Sequence, residues 1–201
     1  MRPRLLATVL WVVALLCAPG LARASDADAV IRQFNDRVLE VMKAGQKLGF
    51  KGRVEKYRAI VGDVYDMTSI TKAMLGPSAS KLAVEEFQKL QDAYSEFSAA
   101  TYAAQFDDWE GERLEVGETR PSTAGAQIVQ SWIAPKTGEP TQIDYVMREA
   151  QGNWRIVDVL YDGTVSQVAV RRSEFGSIFR AKGIVGLLET IQKQTVSLEK
   201  K

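Results

Sequence analysis

A chain of 201 residues with 26 basic and 25 acidic side chains has the length of one domain and an almost balanced charge, which leaves no clearly basic face to hold nucleic acid. It contains no histidine, and that excludes Ser-His-Asp and Cys-His catalysis together with the usual His-containing zinc sites. Its single cysteine, Cys17, excludes an internal disulfide.

Arg2 and Arg4 precede an apolar run from Leu5 to Leu16, and Ala22-Arg23-Ala24 follows as a small-x-small site. This is the pattern of a secretory signal peptide cleaved before Ser25, the run being shorter than the roughly 20 residues a membrane span needs. Cys17 follows Leu16 where a lipoprotein would have a small residue, so it goes with the discarded peptide. Loss of the first 24 residues removes Arg2, Arg4 and Arg23 and no acid, leaving 23 basic against 25 acidic side chains and a net charge of −2. Residues 25–201 are then a single cysteine-free domain, held by its core alone.

From Asp26 a helical period runs through Val30, Phe34, Val38, Val41 and Met42 and ends between Gly45 and Gly49. Arg53 to Val61 predicts a second, short amphipathic helix with Val54, Tyr57, Ile60 and Val61 on one face. The next stretch carries Tyr65-Asp66-Met67, then Ile70 and Met74, and closes at Leu75-Gly76. Gly76-Pro77-Ser78 is a break and a helix restart. A long helix is predicted from Ser80 to about Gln105, where Phe87, Leu90, Tyr94, Phe97 and Thr101 step by three and four with Tyr102 and Phe106 alongside. Such a stripe is first of all the mark of core packing.

After Trp109-Glu110-Gly111 the period changes to two. Leu114 and Val116 suggest one strand, Ala126 to Ile133 a second, and Gln142 to Glu149 a third, with Gln151-Gly152-Asn153 turning into a fourth at Trp154. In that last strand Trp154, Ile156 and Leu160 alternate with Val157, Val159 and Tyr161, as in a strand covered on both sides. Asp162-Gly163 ends it. Thr164, three residues before Gln167, predicts a capping box for a helix whose Val165, Val168, Phe175, Ile178 and Phe179 form one stripe. Gly183 interrupts, and Val185 to Ile191 starts a second amphipathic piece. The fold class is α+β: a four-stranded antiparallel meander packed against several helices.

Asp158 interrupts an apolar face. It reads either as a buried general acid or base, or as a carboxylate bonded to backbone or to an arginine; the absence of a histidine or a second carboxylate at fixed spacing favours the structural role. Asp107-Asp108 is a poor cation signal, since adjacent acids rarely point the same way. Arg171, Arg172 and Arg180 fit a solvated helix face paired with acids such as Glu174, or contact with an anionic head group.

Several of these residues carry a resemblance. Gly152, Trp154, Ile156, Asp158 and Val159, then Asp162, Gly163 and Ser166, then Arg172, Ser173 and Phe175, resemble the periplasmic lipid-binding proteins of the Mla (maintenance of lipid asymmetry) and toluene-tolerance group. Tyr65-Asp66-Met67 and the helix ending Leu75-Gly76 match a second element of that family. The Arg171-Arg172 pair stands where the common form has Tyr-Arg and looks closer to the branch associated with hopanoid biosynthesis. The resemblance implies no cofactor and no catalysis, but an apolar cavity between sheet and helices. Its wall candidates are Tyr65, Met67, Ile70 and Met74 before the break, and Phe87, Leu90, Tyr94 and Phe97 on the long helix. The sheet would add Val129, Trp132, Tyr145, Met147, Trp154 and Ile156, and the last helix Val168 and Phe175. The implied cargo is a phospholipid or a hopanoid. The implied partners are an inner-membrane transporter complex and an outer-membrane lipid donor or acceptor. A buried acyl chain hides methylenes that each cost about 0.8 kcal/mol in water. Against this stand two other readings: a protein-interaction module with a filled core, and a small α+β enzyme built on Asp158.

Overall fold

Residues 26–200 are described by a computed structural model; the segment expected to be a signal peptide, with Cys17, lies outside the described residues. Ile31, Phe34, Val38, Val41 and Met42 bury one side of α1 (Ala27–Lys43). α2 (Gly45–Val64) follows after one residue. Gly45 lies against the Asp107 carbonyl, where a Cβ would sit 1.8 Å from the oxygen, so α2 starts there only as glycine. Within α2 the chain bends at Gly49, at a φ of 61°. α3 (Met67–Leu75) is capped by Asp66, whose carboxylate accepts from the Ser69 N–H at 2.9 Å. A 3-10 segment, Gly76–Lys81, carries the chain into α4 (Val84–Gln105), which therefore begins at Val84 and not at Ser80. There the Glu86 carboxylate accepts from the Ala83 N–H at 3.0 Å.

β1 (Arg113–Pro121), β2 (Gln127–Ala134), β3 (Thr141–Ala150) and β4 (Asn153–Tyr161) form the expected antiparallel meander in chain order, but the sheet has five strands, not four. Asp162 and Gly163 both take positive φ, 49° and 68°, and with Thr164 make the three-residue turn between the paired Tyr161 and Val165. The chain turns back, and Val165–Ser166 (β5) pair with Tyr161 and Leu160. This moves the helix cap as well. Thr164 donates its N–H to the Tyr161 carbonyl inside the hairpin, and Ser166 caps α5 (Gln167–Leu198), accepting from the Ala169 N–H at 2.9 Å. Gly183, at a φ of 65°, breaks α5 into two pieces as its sequence suggests.

Two cores result. Val129, Ile143, Tyr145, Met147 and Ile156 leave the sheet on one face and pack with α1, α2 and α4. The second core is purely helical: Met67, Ile70 and Met74 from α3, Leu90, Tyr94 and Phe97 from α4, and Phe175, Leu187 and Ile191 from α5. Tyr65 and Tyr102 pack against both. β4 is covered less fully than its two apolar alternations suggest, since Ile156 is buried while Val157 and Leu160 stay half-exposed. Among the described residues no helix is long and apolar enough to cross a membrane.

Candidate functional site

At the seam between the cores, α4 and the β3–β4 end of the sheet stand apart and leave a cleft of about 180 Å³. Seven aromatic rings line it: Tyr94, Phe97, Tyr102 and Phe106 on and just after α4, Tyr145 and Tyr161 on the sheet, and Tyr65 between α2 and α3. Gln167 and Arg171, one turn apart at the start of α5, complete it. The rings hold one another in place. Phe34, buried on α1, meets Tyr65, Tyr102 and Tyr145 edge-on at centroid distances of 6.2, 5.8 and 5.7 Å, so a single ring of the first core braces three that face the cleft. The Tyr65 and Tyr102 hydroxyls hydrogen-bond to each other.

Burial pushes the phenols of Tyr65, Tyr102 and Tyr145 well above the usual tyrosine value, with neighbouring phenols adding to the effect. Burial raises Tyr94 too, with the Arg171 guanidinium pulling the other way. At neutral pH these groups offer O–H dipoles and apolar faces but no charge. Among the described residues Arg171 is the one charged side chain lining the cleft. Past Gln105, Phe106, Ile143 and Tyr161 the cleft adjoins a second recess of about 490 Å³, whose other walls include Asp107, Asp108, Glu110 and Glu112.

Asp158 has the structural role. Its carboxylate accepts from the Val159 N–H at 2.8 Å, from the Val168 N–H at 3.0 Å and from the Ser166 hydroxyl. Val157, the extra residue of a bulge against β3, immediately precedes it. One side chain thus ties β4 to the first turn of α5, and so sets Gln167 and Arg171 against the cleft. Among the described residues no cluster of three or more His, Cys, Asp or Glu is arranged to hold a metal.

The wall candidates drawn from the sequence separate into four groups. Tyr65, Tyr94, Phe97 and Tyr145 line the cleft. Val129, Met147 and Ile156 lie buried in the first core with Trp154 packed against it. Met67, Ile70, Met74, Leu90 and Phe175 fill the second core, with Val168 against it. Phe87 and Trp132 are elsewhere. Phe87 is half-buried in a surface groove beside Pro77, Leu82 and Val84, with the Lys72 ammonium 5.9 Å from its ring. Trp132 alternates out of register with the inward-facing Val129 and Ile133, and lies over Gly117, where a Cβ would sit 2.4 Å from the indole. Tyr102, Phe106, Tyr161 and Arg171 belong to the cleft and were not among the candidates. Tyr102 and Phe106 carried a signal, since they flank the stripe of α4. Arg171 carried one as well, as one of the three arginines read as contacts for an anionic head group, whereas Tyr161 carried none, because its placement depends on the hairpin at Asp162-Gly163.

Helices laid across one face of an antiparallel sheet, with a ring-lined gap between the layers, define an α+β domain arranged to receive an apolar guest. The family can be stated more closely. The chain matches the model of the MlaC protein family over residues 32–193 and belongs to that family. Its fold is similar to that of the phospholipid-binding protein from Ralstonia solanacearum, solved in complex with a phospholipid, with a TM-score of 0.74, 21% identity, and coverage of 87% of this chain and 99% of that one. At that identity the likeness is one of fold.

Proposed function

We propose that this protein is a periplasmic lipid carrier that moves a phospholipid or hopanoid-type lipid between the inner and outer membranes, with tails in the cleft and head group outside it. The observation that carries this reading is the ring-lined gap between α4 and the sheet, at the seam where the two cores fail to close on each other. Membership of the MlaC family supports it, and the phospholipid bound to the Ralstonia neighbour supports phospholipid as cargo. The Arg171-Arg172 pair is the feature in favour of a hopanoid-type lipid. Tyr65, Tyr94, Phe97 and Tyr145 are the residues that touch the tails in this reading. The cleft alone, at about 180 Å³, is smaller than the roughly 300–1,000 Å³ of most ligand pockets, whereas the adjoining recess of about 490 Å³ is within that range. A two-tailed lipid therefore draws on both spaces, or on a small separation of α4 from the sheet. An inner-membrane transporter complex and an outer-membrane donor or acceptor are the partners the family implies, and residues 1–24 supply the export signal.

The test is native mass spectrometry of the protein purified from its own periplasm, followed by organic extraction. A stoichiometric lipid is the expected result, and its head group and ring system decide between phospholipid and hopanoid. A protein that arrives empty and also takes no lipid from vesicles is not a carrier.

A further inference from the structure

The geometry points to Arg171 as the seat of the cargo's anionic phosphate, which makes the cleft a polarised site with one acceptable direction of loading. The inference rests on the lipid-carrier reading above. Three arginines follow β5, at positions 171, 172 and 180. Arg172 lies against Gly76 and Arg180 against Gly176, and neither lines the cleft. Arg171 does. Its guanidinium rests on the faces of Phe97 and Phe175, 5.0 and 5.6 Å from the two ring centroids. Glu174 holds it from one side, with 2.7 Å between Nη1 and the carboxylate, and Glu174 is held in turn by Gln194 at 2.6 Å. Ring faces and a carboxylate fix the plane of the guanidinium while using one of its three nitrogens. The Tyr94 hydroxyl also lies within hydrogen-bonding reach of it, and the side chain keeps 25% of its surface exposed, so part of the fork faces outward. A fixed, partly exposed fork of N–H donors fits phosphate oxygens. Gln167, one turn earlier and also on the cleft, adds an amide beside it.

The opposite end has the opposite charge. The recess reached past Gln105 and Phe106 is walled by Asp107, Asp108, Glu110 and Glu112. Phe97, under Arg171, and Gln105 are eight residues apart on α4, about 12 Å along the helix axis. An amphiphile with an anionic head and apolar tails therefore meets one attractive and one repulsive end within its own length. The phosphate settles at the exposed edge of Arg171, the rest of the head group stays outside the cleft, and the tails run toward the recess. A lipid with the same tails and no phosphate gains nothing from this polarity.

The test compares uptake from vesicles of a phospholipid and of a diacylglycerol with identical acyl chains, each fluorescently tagged on a tail. The wild-type protein is expected to take up phospholipid in preference. Arg171→Gln is expected to lower phospholipid uptake about tenfold, the scale of one charge-assisted hydrogen bond, while diacylglycerol uptake stays unchanged. Arg180→Gln, with the same loss of charge away from the cleft, is expected to match wild type. Arg171→Lys, which keeps the charge and loses both the fork and the stacking, is expected to fall between wild type and the glutamine variant in its preference for phospholipid. Equal loss of both lipids in Arg171→Gln, or no loss of either, assigns Arg171 a packing role and overturns the inference. A wild-type protein that takes up neither lipid overturns the carrier reading itself, whereas uptake of both without preference overturns only the polarity.

Discussion

The two cores are built from different materials. The first joins a sheet face to helices and buries Phe34, Tyr57 and Tyr145 among aliphatic side chains, with Tyr65 and Tyr102 at its margin. The second has no strand and packs the rings Tyr94, Phe97 and Phe175 with Met67, Ile70, Met74, Leu90, Leu187 and Ile191, all from helices. Helices can slide until such side chains mesh, and methionine adapts to what gap remains. Side chains on a strand are held at the spacing of the sheet and cannot slide in this way. The cleft lies at the junction of sheet and helices, walled by Tyr94 and Phe97 of the second core and by Tyr145 of the first. Met67, Ile70, Met74, Leu90, Met147 and Ile156 lie buried in one core or the other, and Tyr65, Tyr94, Tyr145 and Phe97 line the gap.

The sharpest way to break this contrast is Phe175→Ala. Phe175 is fully buried in the second core against Tyr94 and Phe97. Its truncation is expected to cost about 3–5 kcal/mol in denaturant unfolding. A loss under about 1 kcal/mol would mean that the second core is loosely packed and that the contrast is wrong.

Alkaline pH probes the rings at the seam. The folded phenols of Tyr65, Tyr102 and Tyr145 are pushed up by burial, so they remain neutral when unfolded tyrosines, with a pKa of about 10, begin to ionise. Their contribution is fully present below about pH 10 and is lost above it, by up to about 1.4 kcal/mol per phenol for each pH unit until the folded value is reached. Circular dichroism followed together with phenolate absorbance is expected to show unfolding and the ionisation of these phenols as one event. Ionisation well ahead of unfolding would place the hydroxyls in water.

Asp158→Asn tests the tie between the two regions. It replaces an acceptor of two backbone N–H groups and a hydroxyl, with an expected loss of about 1–3 kcal/mol. Because the same tie sets Arg171 at the cleft, phospholipid uptake is expected to fall with it. A variant of unchanged stability would return Asp158 to consideration as a chemical group.

The smallest effect is expected from Tyr102→Phe, which deletes the hydroxyl paired with Tyr65 and keeps both rings. Unfolding free energy should drop by about 0.5–1.5 kcal/mol, with the cleft opening retained. A larger loss would show that the hydroxyl pair, and not ring packing, joins the cores at the seam.

Much of the fold was legible beforehand because it is local. Spacing of Phe34, Val38, Val41 and Met42 dictates a helix with one buried side, Gly183 breaks the last helix, and alternation through Ile143, Tyr145 and Met147 dictates a strand with one inward face. The α+β class and the meander follow from those periods. Asp162-Gly163 announced a turn, but the two residues of β5 carry too little pattern to announce a strand, and so the cap was placed at Thr164 in place of Ser166. The Mla resemblance was also a property of the sequence, and the family match agrees with it.

What the sequence by itself determined is which residues are apolar and on which side of which element they lie. It did not determine which of them touch space. Tyr94 and Leu90 sit one turn apart on the same stripe of α4, yet Tyr94 faces the cleft and Leu90 does not. Tyr65 and Tyr102 are 37 positions apart, and nothing in the neighbourhood of either reports the other. Core and cavity wall ask for the same side chains at the same helical spacing. Only the distance left between packed elements separates them, and that distance is set by every other contact in the domain.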